Sequence, residues 1–230
     1  MSTWQIYKFG GSSLGAEGRL PVVLHRIAEA PRPVAVVVSA LGDTTEWLLE
    51  AGRAAAAGDE TQAVAEVERA FTLARTRAAE VLDPASLGEL ERVWRPLLGD
   101  AGRAISALVA ARASDPAMLD LLLSVGERAS SELVAAALRA RNLPGLAVDA
   151  RDVFVTDGRH GDATVNLDRS LRSVLERYAR WERHVPVVTG FIGRGPAGAT
   201  TTLGRNGSDY AATTLAALLD ASEVTIWTDV

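Results

Sequence analysis

Residues 32–40, RPVAVVVSA, form an almost unbroken valine-rich run. A run of this kind suits a strand buried on both faces, as in the middle of a parallel sheet. The rest of the chain must then cover both faces, and its pattern alternates accordingly. WQIYKF (4–9), LPGLAVDA (143–150), VPVVTGF (185–191) and EVTIWTD (223–229) read as further strands. Residues 20–30, the stretch after LGDTTE, 60–82, 86–112, 118–142, 167–181 and 208–219 read as helices, with a break expected at Ser124-Val125-Gly126. This alternation predicts an α/β fold, a three-layer αβα sandwich around a mostly parallel central sheet. Residues 151–166 read as irregular, and IGRGPAGATTTLGRNG (192–207) reads as a mobile loop or flap.

Parallel sheets bind ligands beyond the carboxyl ends of their strands. Four segments leave such ends, at 10–15, 39–45, 151–165 and 192–207, and all are rich in Gly, Ser, Thr or Asp. One pocket built from the four is the expectation. Composition narrows what it holds. A net charge of −5 without basic blocks argues against a nucleic-acid partner. The absence of cysteine removes disulfides and thiolate chemistry, and the three scattered histidines lack metal-ligand spacing. No apolar run is long enough to span a membrane, and the start MSTWQIYKFGG lacks a targeting pattern, so a cytoplasmic location is expected.

Of the 24 basic residues all but one are arginine, and the exception is Lys8. It precedes Phe9-Gly10-Gly11-Ser12-Ser13, where paired glycines allow backbone N–H groups close to phosphate oxygens. Lys8 is then a compact point charge for a phosphoryl group, although a plain strand-to-helix turn also favours glycine. In TTLGRNGSDY (201–210), Ser208 or Asp209 reads as the cap of a helix whose N-terminus binds an anion, with Arg205 as a carboxylate fork. Asp209 would repel an anion unless it orients Lys8 or helps bind magnesium. Glu127 reads either as a helix-dipole acid or as the grip on a substrate ammonium. GRGPAG (193–198) matches the spacing of a dinucleotide-binding turn without its context, and no P-loop motif is present.

KFGGSS, VVVSALGDTTE, GERAS, TGFIG…TTLGRNGSDYAA and EVTIWTDV, in this order, resemble the signatures of the aspartate kinase family of the amino-acid-kinase fold. The resemblance spans residues 4–230 and implies phosphorylation of the L-aspartate side-chain carboxylate by ATP with Mg²⁺. It implies catalytic roles for Lys8 and Asp209. Nucleotide contacts are implied for Lys8, Gly10, Gly11, Ser12, Thr228 and Asp229. Aspartate contacts are implied for Ser39, Thr45, Glu127, Arg205, Asn206, Gly207 and Ser208, with no protein metal ligand. GRNGSDY, with Asn in place of the common Gly, resembles the version in kinases fused to homoserine dehydrogenase. Family members continue past WTDV with a segment that completes the nucleotide site and with regulatory domains. Residues 1–230 are therefore expected to be a catalytic domain incomplete at its nucleotide-binding part, with weakened or absent ATP binding and no feedback inhibition by lysine or threonine. A homo-oligomer or a longer fused polypeptide is the expected context. The alternatives are another kinase of this fold, acting on glutamate, N-acetylglutamate, carbamate or UMP, and a catalytically silent amino-acid-binding module.

Overall fold

The computed structural model describes residues 3–228. In chain order the elements are β1 (Gln5–Phe9), α1 (Gly11–Gly15), α2 (Arg19–Glu29), β2 (Val34–Val38), α3 (Thr44–Ala57), α4 (Glu60–Ala79), α5 (Pro84–Ala111) and α6 (Pro116–Ala140). They continue with β3 (Gly145–Val148), α7 (Leu167–Trp181), β4 (Val185–Thr189), β5 (Ile192–Arg194), β6 (Thr200–Thr202), α8 (Gly207–Leu219) and β7 (Glu223–Trp227). Five strands form one sheet in the order β3-β4-β2-β1-β7, every neighbour pair parallel. The valine run is its central strand, buried at every residue. Val34, Val36 and Val38 pack with α2–α6 on one face, and Ala35 and Val37 pack with α7 and α8 on the other. The strand period of two thus distributes one apolar segment between two cores.

Two elements differ from the sequence-based expectation. Helix α6 is continuous from Pro116 to Ala140, without a break at Ser124-Val125-Gly126. Gly126 serves close packing there: a Cβ on it would lie 2.9 Å from Thr44 Cγ2 and 3.0 Å from Ala40 Cβ. Residues 192–202 are a regular element and not an irregular loop. They form the antiparallel hairpin β5–β6, in which Ile192 pairs with Thr202 and Arg194 with Thr200. Buried threonines hold it from behind, with Thr201 Oγ1 2.9 Å from Thr156 Oγ1. The starts of α5 and α6 are marked by Asp83-Pro84 and Asp115-Pro116, where each aspartate accepts two backbone N–H bonds and proline occupies the first turn.

The segment after β1 is locked onto the segment after β2. Gly42 N donates to Gly11 O at 2.8 Å, and a Cβ on Gly15 would fall 2.3 Å from Gly42 N. Backbone atoms cannot yield as a side chain does, so Gly15→Ala is expected to lower stability by about 1–3 kcal/mol in urea denaturation. It would also disturb the segments adjoining Lys8, Ser39 and Thr45, which line the cavity described next.

Candidate active site

The carboxyl ends of β1, β2 and β4 open on a cavity of about 640 Å³. Its wall is formed by Lys8 from β1, Ser39 just after β2, Thr45, Glu46 and Leu49 from α3, Glu127 from α6, Phe191 after β4, and residues 204–209. The segments after β1 (10–15) and after β3 (151–165) take no part in it, contrary to the four-loop expectation. Residues 157–164 pack behind the hairpin instead, with Ala163 N donating to Thr202 O at 2.9 Å.

Lys8 sits in a strand, is 8% exposed, and places Nζ 2.7 Å from Asp209 Oδ1. Asp209 lies in the first turn of α8, two residues past the helix start. Neither Ser208 nor Asp209 caps this helix. The cap position is Asn206, in the left-handed conformation with φ 57° and without a side-chain capping bond. Helix α3 likewise has a cap residue, Asp43, that makes no side-chain capping bond. Helices α4 to α7, by contrast, are all closed by an Asp or Asn side chain. The two helices that contribute first-turn residues to the cavity wall therefore keep their positive ends free of a capping side chain, which suits anionic groups.

Two glycines set how deeply α8 enters. A Cβ on Gly190 would lie 2.6 Å from Ser208 Oγ, and one on Gly207 would lie 2.7 Å from the Phe191 ring. Phe191 itself adopts φ 62°, an unusual conformation for an aromatic residue, with Ile192 N bonded to Gly190 O across it at 2.7 Å. That tight bend turns the ring onto the cavity wall. Arg205 is exposed on the same wall, without an acidic partner among the described residues.

Glu127 lies in the interior of α6, so the reading as a helix-terminus acid does not apply. It is 2% exposed. Its Oε1 accepts a bond from Ala40 N at 3.4 Å, and its Oε2 has no hydrogen-bond partner. Burial pushes its carboxyl up to about 8, against the modest opposing effect of backbone N–H groups. A buried carboxyl with one free oxygen on a cavity wall has the chemistry to receive a cationic group.

The structure brings Lys8, Ser39, Thr45, Glu127, Arg205, Asn206, Gly207, Ser208 and Asp209 onto one wall. Gly10, Gly11, Ser12 and Thr228 are not on it. Gly10 and the end of β7 do converge, with Gly10 N donating to Trp227 O at 3.4 Å, which places the segments holding Gly10 and Thr228 side by side. Asp229 lies outside the described residues. Glu46, Leu49 and Phe191 are wall residues that sequence reasoning did not name. The helical spacing of Thr45 and Leu49, one turn apart, was the available signal for Leu49. Among the described residues no group of three His, Cys, Asp or Glu side chains is placed to hold a metal ion. No helix among them is long and apolar enough to cross a membrane.

Comparison with known proteins agrees with this fold. Residues 3–230 match the model of the amino acid kinase family. Aspartokinase 1, chloroplastic, of Arabidopsis thaliana is 34% identical over 98% of this chain and 40% of its own length. Lysine-sensitive aspartokinase 3 of Escherichia coli (strain K12) is 32% identical over 100% of this chain and 50% of its own. The crystal structure of E. coli aspartokinase III in complex with aspartate and ADP superposes with a TM-score of 0.86 at 30% identity, covering 98% of this chain and 49% of that one. This chain spans half or less of the length of these relatives. The whole-chain match and the conformity of fold together show that the chain belongs to the amino acid kinase family.

Proposed function

We propose that this domain transfers the γ-phosphoryl group of ATP to the side-chain carboxylate of L-aspartate, giving 4-phospho-L-aspartate, the first step toward the aspartate-derived amino acids. The observation that carries this reading is the division of charge on the cavity wall. Arg205, Lys8 and the uncapped end of α8 favour anions, while the buried Glu127 offers a carboxyl to a cation on the side of the wall where α3 adds Glu46. An amino acid with two carboxylates and one ammonium matches that division. Arg205 and the N-terminus of α8, with Asn206, Gly207 and Ser208, hold carboxylate. Ser39 and Thr45 supply hydroxyls, and Glu127 takes the ammonium. Lys8, oriented by Asp209, neutralises charge on the phosphoryl group in transit. Gly10, Gly11, Ser12, Thr228 and Asp229 are assigned to the nucleotide. Magnesium would accompany the triphosphate and offset part of its charge. Catalysis here is positioning and charge neutralisation, because the attacking carboxylate needs no deprotonation near neutral pH. The likeness to a structure holding aspartate and ADP supports the assignment.

One observation favours a second reading. The cavity wall contains the acceptor residues but not Gly10, Gly11, Ser12 or Thr228. A domain that binds an amino acid without turning it over would look the same. Titration calorimetry with L-aspartate, L-glutamate, N-acetylglutamate and UMP tests the acceptor directly. L-Aspartate is expected to bind, L-glutamate about 10–100-fold more weakly, and the acylated and nucleotide ligands not measurably. N-Acetylglutamate binding as tightly as aspartate would remove the role of Glu127 and the proposal with it.

A further inference from the structure

The cavity wall leaves unused a second buried carboxylate on α6. Asp120 is 1% exposed and lies seven residues, two helical turns, before Glu127 on the same side of the helix. Its Oδ1 accepts a bond from Thr202 Oγ1 at 2.6 Å. Its Oδ2 accepts Gly161 N at 3.1 Å and lies 2.7 Å from His160 Nδ1. A single carboxylate thus ties together α6, strand β6 and the loop at 158–162.

The tied segment leads straight to Arg205. Leu203 N donates to Phe191 O at 2.7 Å, joining it to the cavity wall. Gly204 follows with φ 73°, packed so closely on the loop that a Cβ there would lie 2.7 Å from Asp162 Oδ1. Arg205 comes next. A loosened loop or a slipped β6 would move the base of the Arg205 side chain.

We propose that Asp120 is a positioning residue for the acceptor. One rigid helix carries Glu127, which receives the ammonium, and Asp120, which anchors the segment presenting Arg205 to a carboxylate. Helix α6 thereby acts as a ruler: it fixes the separation of the two grips and so the length of amino acid that satisfies both. This rests on the aspartate reading for the identity of the ligand but not for the tether itself. His160 and Thr202 are part of the device, because each supplies a hydrogen to the anchoring carboxylate.

Thr202→Val removes one donor with little change of shape, and Thr202→Ser keeps it. His160→Leu removes the other on a partly exposed loop, and His160→Asn leaves a donor near the Nδ1 position. Amide hydrogen exchange at 203–207, together with calorimetric affinity for L-aspartate and L-glutamate, reads the effect. Thr202→Val and His160→Leu are expected to speed exchange at 203–207. They should weaken L-aspartate by about tenfold, the worth of one charge-assisted hydrogen bond, and narrow the preference for aspartate over glutamate. Thr202→Ser and His160→Asn should restore both readouts. A purely structural role would lower the melting temperature while leaving the aspartate-to-glutamate ratio unchanged, and that result overturns the ruler. Unchanged exchange at 203–207 in both donor-removing variants overturns the tether. Faster exchange in the variants of a protein that binds neither amino acid would leave the tether standing and overturn the acceptor reading.

Discussion

Lys8→Arg is expected to lower turnover about 10³-fold while leaving the fold intact. The substitution keeps the charge, so the loss isolates shape. Lys8 is nearly buried in β1, and its ammonium is held 2.7 Å from Asp209 Oδ1. A compact ammonium in that place can face a phosphate oxygen while keeping its ion pair with Asp209. A guanidinium is planar and larger, and it would satisfy Asp209 as a fork, directed away from the phosphoryl group. ADP release at saturating substrates, with circular dichroism and a melting curve on the same sample, measures both sides of the claim. Near-wild-type turnover would remove Lys8 from the phosphoryl-transfer step.

Glu127 makes the second large effect a pH dependence. Its carboxyl is raised in the folded state from the ordinary 4.5 to about 8 by burial. The folded chain therefore holds this proton more tightly than the unfolded chain does. The stability associated with it is fully present below pH 4.5, declines as pH rises, and is lost once pH passes about 8. Glu127→Gln, which cannot ionise, should match the wild type near pH 4.5 and exceed it by roughly 3–5 kcal/mol near pH 8 in urea denaturation. The stabilised variant is expected to lose acceptor affinity, because the ammonium has no anion to meet. On the proposed reading the ammonium is expected to draw Glu127 into its ionised form, so that binding at pH 7 releases a proton. Calorimetry of L-aspartate in buffers of different ionisation enthalpy should show release approaching one proton per ligand. Apparent affinity should climb by close to tenfold per pH unit from 6 toward 8. Glu127→Gln should abolish both dependences. A wild-type affinity flat across that range would mean that Glu127 does not ionise on binding.

The sheet was readable because its signals are local. The valine run and the apolar segments between Gly-rich loops each declare themselves within a few residues. Helix α6 misled at Gly126 because a glycine that weakens a helix in isolation is required there by Thr44 and Ala40, which are far away in sequence. That misreading carried Glu127 with it: a helix-end acid and a buried, half-satisfied carboxyl differ only in what surrounds them. Residues 192–207 looked mobile because Gly and Pro dominate locally, whereas the hairpin is held by threonines packed against Thr156 and by Asp120 from α6. The proximity of Lys8 and Asp209 was anticipated from charge logic, since an aspartate in an anion site needs a cation. Glu46, Leu49 and Phe191 reach the wall by helix phase and by a backbone bend, which no short motif encodes.

The most direct test of the phosphoryl-transfer proposal is to incubate the protein with Mg-ATP, L-aspartate and hydroxylamine. An acyl phosphate is captured by hydroxylamine as the hydroxamate, so the trap reports the bond formed and not merely ATP consumed. The account predicts aspartate β-hydroxamate in step with ADP, no hydroxamate from N-acetylglutamate, and neither product with Lys8→Ala. ADP release without hydroxamate, or calorimetrically bound L-aspartate that is never phosphorylated at saturating Mg-ATP, would contradict it.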